Sequence, residues 1–131
     1  MSVNAQDVVT GFCAAWERRS VDDVLAYLAP DIIYQNVPNP AMRGVDEAAK
    51  FLTPLLKNTI KIDFELLSIA VSGRGDEVLT ERMDRLHFPT GVVDIPVMGI
   101  FVVQEGKIVE WRDYADSAAV AAGFASLAKP D

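Results

Sequence analysis

The sequence carries one cysteine, Cys13, and one histidine, His87, among its 131 residues. A single cysteine excludes an internal disulfide. Cys13 falls beside Phe12 and Trp16 in a helical pattern and reads as a small buried apolar residue. A zinc site or a serine–histidine–aspartate triad would have to be built around His87 alone, so both are disfavoured and no metal ligand is assigned. There is no Gly-rich phosphate loop and no dinucleotide fingerprint. No apolar run approaches the length that spans a bilayer. Met1 to Asp7 lack a basic stretch followed by an apolar one, so no secretory signal is expected and a cytoplasmic location is. Basic residues are the minority: 12 Lys and Arg against 19 Asp and Glu, a net charge of −7. That balance disfavours nucleic acid and anionic membrane surfaces as partners. What remains is carboxylate chemistry or plain binding.

What is present fits one compact domain over residues 1–131, half hydrophobic (50%) and 24% charged. Val8, Phe12 and Trp16 recur at helical spacing within Asn4–Arg19. Ser20-Val21-Asp22-Asp23 resembles a capping box that opens a second helix, closed by Pro30. Asp31–Val37 reads as a short strand, ended by Pro38-Asn39-Pro40. Met42-Arg43-Gly44 reads as a loop into a third helix, Val45–Lys57, which Pro54 should kink or shorten. Four strands follow, Ile60–Val71, Glu77–Phe88, Val92–Gln104 and Lys107–Ala115, with breaks short enough for antiparallel hairpins. Ser117–Ala128 reads as a last helix. Helices segregated to one side of such a sheet give an α+β fold, and a strongly twisted sheet can enclose a pocket at its mouth.

Strand alternation then puts charges on interior faces. In Glu77–Phe88, Arg82 and Asp84 share a face with Val78, Thr80, Leu86 and Phe88. In the last strand Asp113 follows Val109 and Trp111, and in the first Tyr34 and Asn36 lie with Ile32. In Val92–Gln104 the apolar face of Val93, Ile95, Val97, Phe101 and Val103 is interrupted by Gly99. A buried carboxylate is normally paired or neutralised. A structural ion pair, Arg82 with Asp84 or Asp113, accounts for the charges alone. A water-holding pocket whose acid and base are these groups also accounts for Tyr34 and Asn36, because a bound water takes two to four polar partners. Trp111 reads as core, and Arg112 and Tyr114 as surface or dimer contacts.

Tyr34-Gln35-Asn36, Arg82-Met83-Asp84 and Trp111-Arg112-Asp113-Tyr114, in that order, resemble the limonene-1,2-epoxide hydrolase family. That family belongs to the cone-shaped α+β folds shared with nuclear transport factor 2 (NTF2) and ketosteroid isomerase. The resemblance covers nearly the whole chain. It implies a strongly curved, mixed or antiparallel sheet with helices on one face. It implies that Asp113 is the general base on a water held by Tyr34 and Asn36, that Asp84 is the acid on the epoxide oxygen, and that Arg82 bridges the two. Trp16, Leu86, Ile95 and Val97 match the family's apolar lining, while Ala115 is smaller than the bulky residue expected beside the base. The resemblance further implies a small apolar epoxide as substrate, one-step opening without a covalent intermediate, no cofactor and a homodimer.

The chemistry needs both acids. An epoxide has a poor leaving group, so a base on the water and an acid on the ring oxygen act together. For Asp84 to hold a proton at pH 7 its pKa must climb from about 4 to about 7, on the order of 4 kcal/mol. Arg82 alone pushes the other way, so burial and Asp113 must outweigh it. Two rival readings remain open at this point. One is a ketosteroid-isomerase-like or polyketide-cyclase-like enzyme that moves a proton next to a carbonyl, which has no need of Arg82. The other is a non-catalytic binding module.

Overall fold

In the computed structural model, which describes residues 4–127, four helices pack on a six-stranded sheet. Helix α1 (Ala5–Glu17) starts where the Asn4 side chain accepts from the Gln6 backbone N–H at 2.8 Å. It buries Val8, Phe12 and Trp16, the spaced residues of its pattern. Helix α2 (Val21–Ala26) is capped by Ser20, whose Oγ accepts from the Asp23 N–H at 3.1 Å. Strand β1 (Leu28–Val37) follows, then β2 (Met42–Arg43) and helix α3 (Val45–Asn58). Strands β3 (Lys61–Val71), β4 (Glu77–Phe88), β5 (Gly91–Gln104) and β6 (Lys107–Tyr114) form a meander. Helix α4 (Ser117–Leu127) closes the described chain, and the expected last helical residue, Ala128, lies outside it.

The sheet order is β2-β1-β6-β5-β4-β3. All pairings are antiparallel except β1 with β6, which is parallel, so the sheet is mixed. Register shifts at Leu28/Ile33, Leu66/Ser68 and Val102/Val103 interrupt three of the ladders. Such bulges bend strands and sharpen the twist, which turns a six-stranded sheet into a curved cone.

Three expectations change. Strand β1 begins at Leu28, before Pro30, and α2 ends earlier. Pro30 is tolerated in the strand because it is exposed and sits at the β1–β6 irregularity, where no ladder N–H is required. Met42–Arg43 is a two-residue strand paired to Ile33 and Tyr34, too short for any periodicity to reveal. Pro54 does not shorten α3. It stands on the exposed side, while Ala48, Leu52 and Leu56 anchor the buried side at four-residue spacing.

Between α1 and the sheet lies an aromatic core. Phe12 meets Trp16, Tyr27, Phe101 and Trp111 edge-on, with ring centroids 5.0–6.4 Å apart. Trp111 is stacked between Tyr34 at 4.0 Å and Phe101 at 5.6 Å. Offset and edge-on pairs of this kind add to the burial term. Phe12→Ala is expected to cost about 3–5 kcal/mol of stability, read by denaturant unfolding. A loss under about 1 kcal/mol would show that this ring is not the keystone of the core.

Candidate active site

The register lays the candidate side chains out in rows across the sheet. Asn36, Asp113, Gly99 and Thr80 align across β1, β6, β5 and β4. Tyr34, Trp111, Phe101 and Val78 make the row on one side. Arg82 lies opposite Val97, and the next row joins Ile95, Asp84 and Phe64. Arg82 and Asp113 are therefore on strands separated by β5, and Gly99 stands between them. A Cβ on Gly99 would overlap both Arg82 Nη1 and Asp113 Oδ1. The missing side chain is the opening through which the guanidinium crosses β5.

Arg82 is 1% exposed, and all five of its N–H groups have partners. Nε donates to Asp84 Oδ1 at 3.0 Å and Nη2 to Asp84 Oδ2 at 2.9 Å. Nη2 also donates to Asp113 Oδ2 at 3.0 Å, and Nη1 to Asp113 Oδ1 at 3.3 Å. The last Nη1 hydrogen goes to Thr80 Oγ1 at 3.1 Å, and Thr80 donates in turn to the Gly99 carbonyl at 3.1 Å. The rings of Phe64 and Phe101 lie 5.1 and 5.7 Å from the guanidinium carbon. Burial works against the Arg82 charge, but Asp113 and Asp84 more than offset it and hold the pKa above its ordinary value. Burial also pushes the Asp84 carboxyl up; the Arg82 hydrogen bond and charge oppose this, and the Asp113 charge adds to it.

Asp113 has a further donor, the Trp111 indole Nε1, at 2.8 Å from Oδ1. On the neighbouring strand the Asn36 amide donates to the Tyr34 hydroxyl at 3.1 Å, and the Tyr34 O–H makes a longer contact, 3.4 Å, to Asn36 Oδ1. Burial and the Asp113 charge raise the Tyr34 pKa, so the phenol stays neutral.

These groups open onto a cavity of about 720 Å³. Trp16, Tyr34, Asn36, Asp84, Leu86, Ile95, Val97 and Asp113 all line it, and Ala115 does as well. Arg82 does not; it is sealed behind the two acids. Every residue singled out from sequence thus meets in or directly beneath one cavity. Missed were Thr80, Gly99 and the polar edge of Trp111. Trp111 precedes Asp113 by two residues, the same spacing as Arg82 to Asp84, and Gly99 was visible as the gap in an apolar face. Arg112 and Tyr114 point to the opposite face, where Arg112 pairs with Glu110 at 2.9 Å and Tyr114 is exposed.

A curved α+β cone with an Asp–Arg–Asp bridge beneath a largely apolar cavity defines a protein of the NTF2-like fold. The limonene-1,2-epoxide hydrolase catalytic domain family matches residues 3–125, and the chain belongs to that family. Epoxide hydrolase EphG of Mycobacterium tuberculosis (strain ATCC 25618 / H37Rv) is 35% identical over 108 residues, 82% of this chain and 70% of that protein. A solved LEH-like epoxide hydrolase of M. tuberculosis superimposes with TM-score 0.80 at 31% identity, covering 93% of this chain and 90% of the other. An NTF2-like protein of Burkholderia pseudomallei K96243, of unknown function, shares the fold at 20% identity and TM-score 0.75, covering 88% and 93%.

Gly99→Ala is expected to push Arg82 from Asp113 and to cost about 1–3 kcal/mol through overpacking. Unfolding curves and a crystal structure of the variant check this. Full stability with both Arg82–Asp113 contacts retained would show that the opening is not needed.

Proposed function

We propose that the chain opens an apolar epoxide, cyclic or terpene-like, to a vicinal diol in a single step. The Asp113–Arg82–Asp84 bridge under a largely hydrocarbon cavity carries this reading. Tyr34 and Asn36 hold a water against Asp113. Asp113 takes one proton from that water as its oxygen attacks an epoxide carbon. The carbon–oxygen bond breaks, and Asp84 delivers its proton to the departing ring oxygen. Two hydroxyls result, Asp113 is left protonated and Asp84 ionised, and a proton passes from Asp113 to Asp84 through pocket water to restore the starting state.

The raised pKa of Asp84 supports its role as the acid. Two ionised aspartates on one cation would leave a buried net negative charge, and one retained proton removes it. Arg82 is spent on the two carboxylates and does not face the cavity, which suits an apolar substrate. The small Ala115 beside the base leaves room there for a bulkier or differently shaped ring.

Asp113→Asn and Asp84→Asn are each expected to lower kcat on an epoxide panel by about 100- to 10,000-fold, the range of general acid–base catalysis. Circular dichroism checks that the fold is retained. A single turnover in ¹⁸O-labelled water should put label in the diol and none in the protein. Label in a protein carboxylate, with unlabelled diol released first, would mean a covalent ester intermediate. An Asp113→Asn variant that keeps most of its activity would dismiss the mechanism.

A homodimer is part of the same proposal. The sheet face away from the helices exposes Leu79, Met98 and Tyr114, with Met98 and Tyr114 paired across β5 and β6. Sedimentation velocity should give twice the chain mass, and Met98→Lys should shift it toward the monomer. A monomer at micromolar concentration would end this part of the reading.

A further inference from the structure

The two acids grip Arg82 in nearly the same way, each through both oxygens, yet the proposed reaction needs them in different protonation states. Two donors reach Asp84, both from Arg82. Three reach Asp113: the two Arg82 terminal nitrogens and the Trp111 indole. The indole contact, at 2.8 Å, is shorter than either Arg82 contact to Asp113.

We infer that Trp111 is a positioning residue whose indole N–H decides which aspartate of the pair stays ionised. A donor aimed at a carboxylate stabilises the anion, and hydrogen bonds to charged groups are the stronger kind. Only Asp113 has this extra donor, so the proton held by the pair rests on Asp84. The inference rests on the acid–base reading of the site and adds what breaks its symmetry.

Trp111 is built for a fixed donor. Its ring is 1% exposed, lies between Tyr34 and Phe101, and is met edge-on by Phe12 at 5.0 Å and Trp16 at 6.1 Å. The indole cannot rotate without unstacking those rings, and its nitrogen is a donor only. The same contact fixes Asp113 from the Oδ1 side. Oδ2 keeps a single donor and the capacity to accept a proton from water.

Among the described residues, no other titratable group near the pair can serve this purpose. From β4 come Arg82 and Asp84 themselves. From β1 comes Tyr34, kept neutral by burial. From α1 come Cys13, pushed by burial up to about 12, and Glu17, which accepts from the Phe64 backbone N–H at 3.1 Å. The residues of α3 and α4 that line the cavity, Phe51, Leu55, Ser117, Val120, Ala121 and Phe124, carry no charge.

Trp111→Phe keeps an aromatic ring and removes the N–H. With ¹³C-labelled aspartate carboxyls in substrate-free protein, Asp113 of the parent should be ionised while Asp84 holds the proton. The Asp84→Asn and Asp113→Asn proteins assign the signals. In Trp111→Phe the Asp113 carboxyl should titrate about one pH unit higher, a tenfold change in the equilibrium. The acid limb of the pH–rate profile should move up with it, kcat near neutrality should fall about tenfold, and KM should hold. If phenylalanine disturbs the fold, benzothienylalanine at position 111, with sulfur in place of N–H, makes the same comparison. Carboxyl titrations unchanged in a folded variant would overturn the inference. Because the titration uses no epoxide, it decides the role of Trp111 even where the parent turns over no epoxide at all.

Discussion

One guanidinium with no donor to spare governs the site. Arg82 gives two hydrogen bonds to each aspartate and its fifth to Thr80, so its position is determined from three sides. An arginine buried this deeply would be costly if any of those partners were missing. The arrangement satisfies the cation completely but leaves one acid in excess over the positive charge. Two acids that share one cation titrate as a unit, and burial pushes the Asp84 carboxyl of this pair up.

The sheet brings this about through register. Arg82 and Asp84 are neighbours on one face of β4, but Asp113 arrives from β6, two strands away. Contact between them depends on an empty place in β5, which Gly99 provides. The parallel pairing of β1 with β6 sets Tyr34 and Asn36 beside Trp111 and Asp113. The cavity lies above the acids, bounded by residues of the sheet and of α1, α3 and α4.

Much of this was legible in the chain before folding was considered. Alternation along β4 and β6 exposed the contradiction of Arg82, Asp84 and Asp113 among apolar residues, and the motif order named the family. Helical spacing in α1 and the capping serine of α2 were equally plain. What stayed hidden depended on contacts across strands. Gly99 registered only as a break in a pattern, because its purpose lies in residues 17 positions before it and 14 after. Trp111 was read by its bulk, and the direction of its N–H belongs to the folded strand. Strand β2 and the extra length of β1 escaped because one is two residues long and the other runs through a proline. The proline inside α3 does not cut the helix short, because the buried stripe of Ala48, Leu52 and Leu56 holds the last turn, and that packing is a tertiary property.

The apolar walls of the cavity bear on how the proposed turnover would end. Phe51, Leu55, Leu86, Ile95, Val97 and Phe124 give the hydroxyls of a vicinal diol nothing to bond, which leaves them Tyr34, Asn36, Asn39, Asp84, Asp113 and Ser117. A hydroxyl turned to the apolar side would forfeit hydration that the epoxide never needed. The proposed reaction would thereby weaken the hold of that side of the chamber on the molecule it has made.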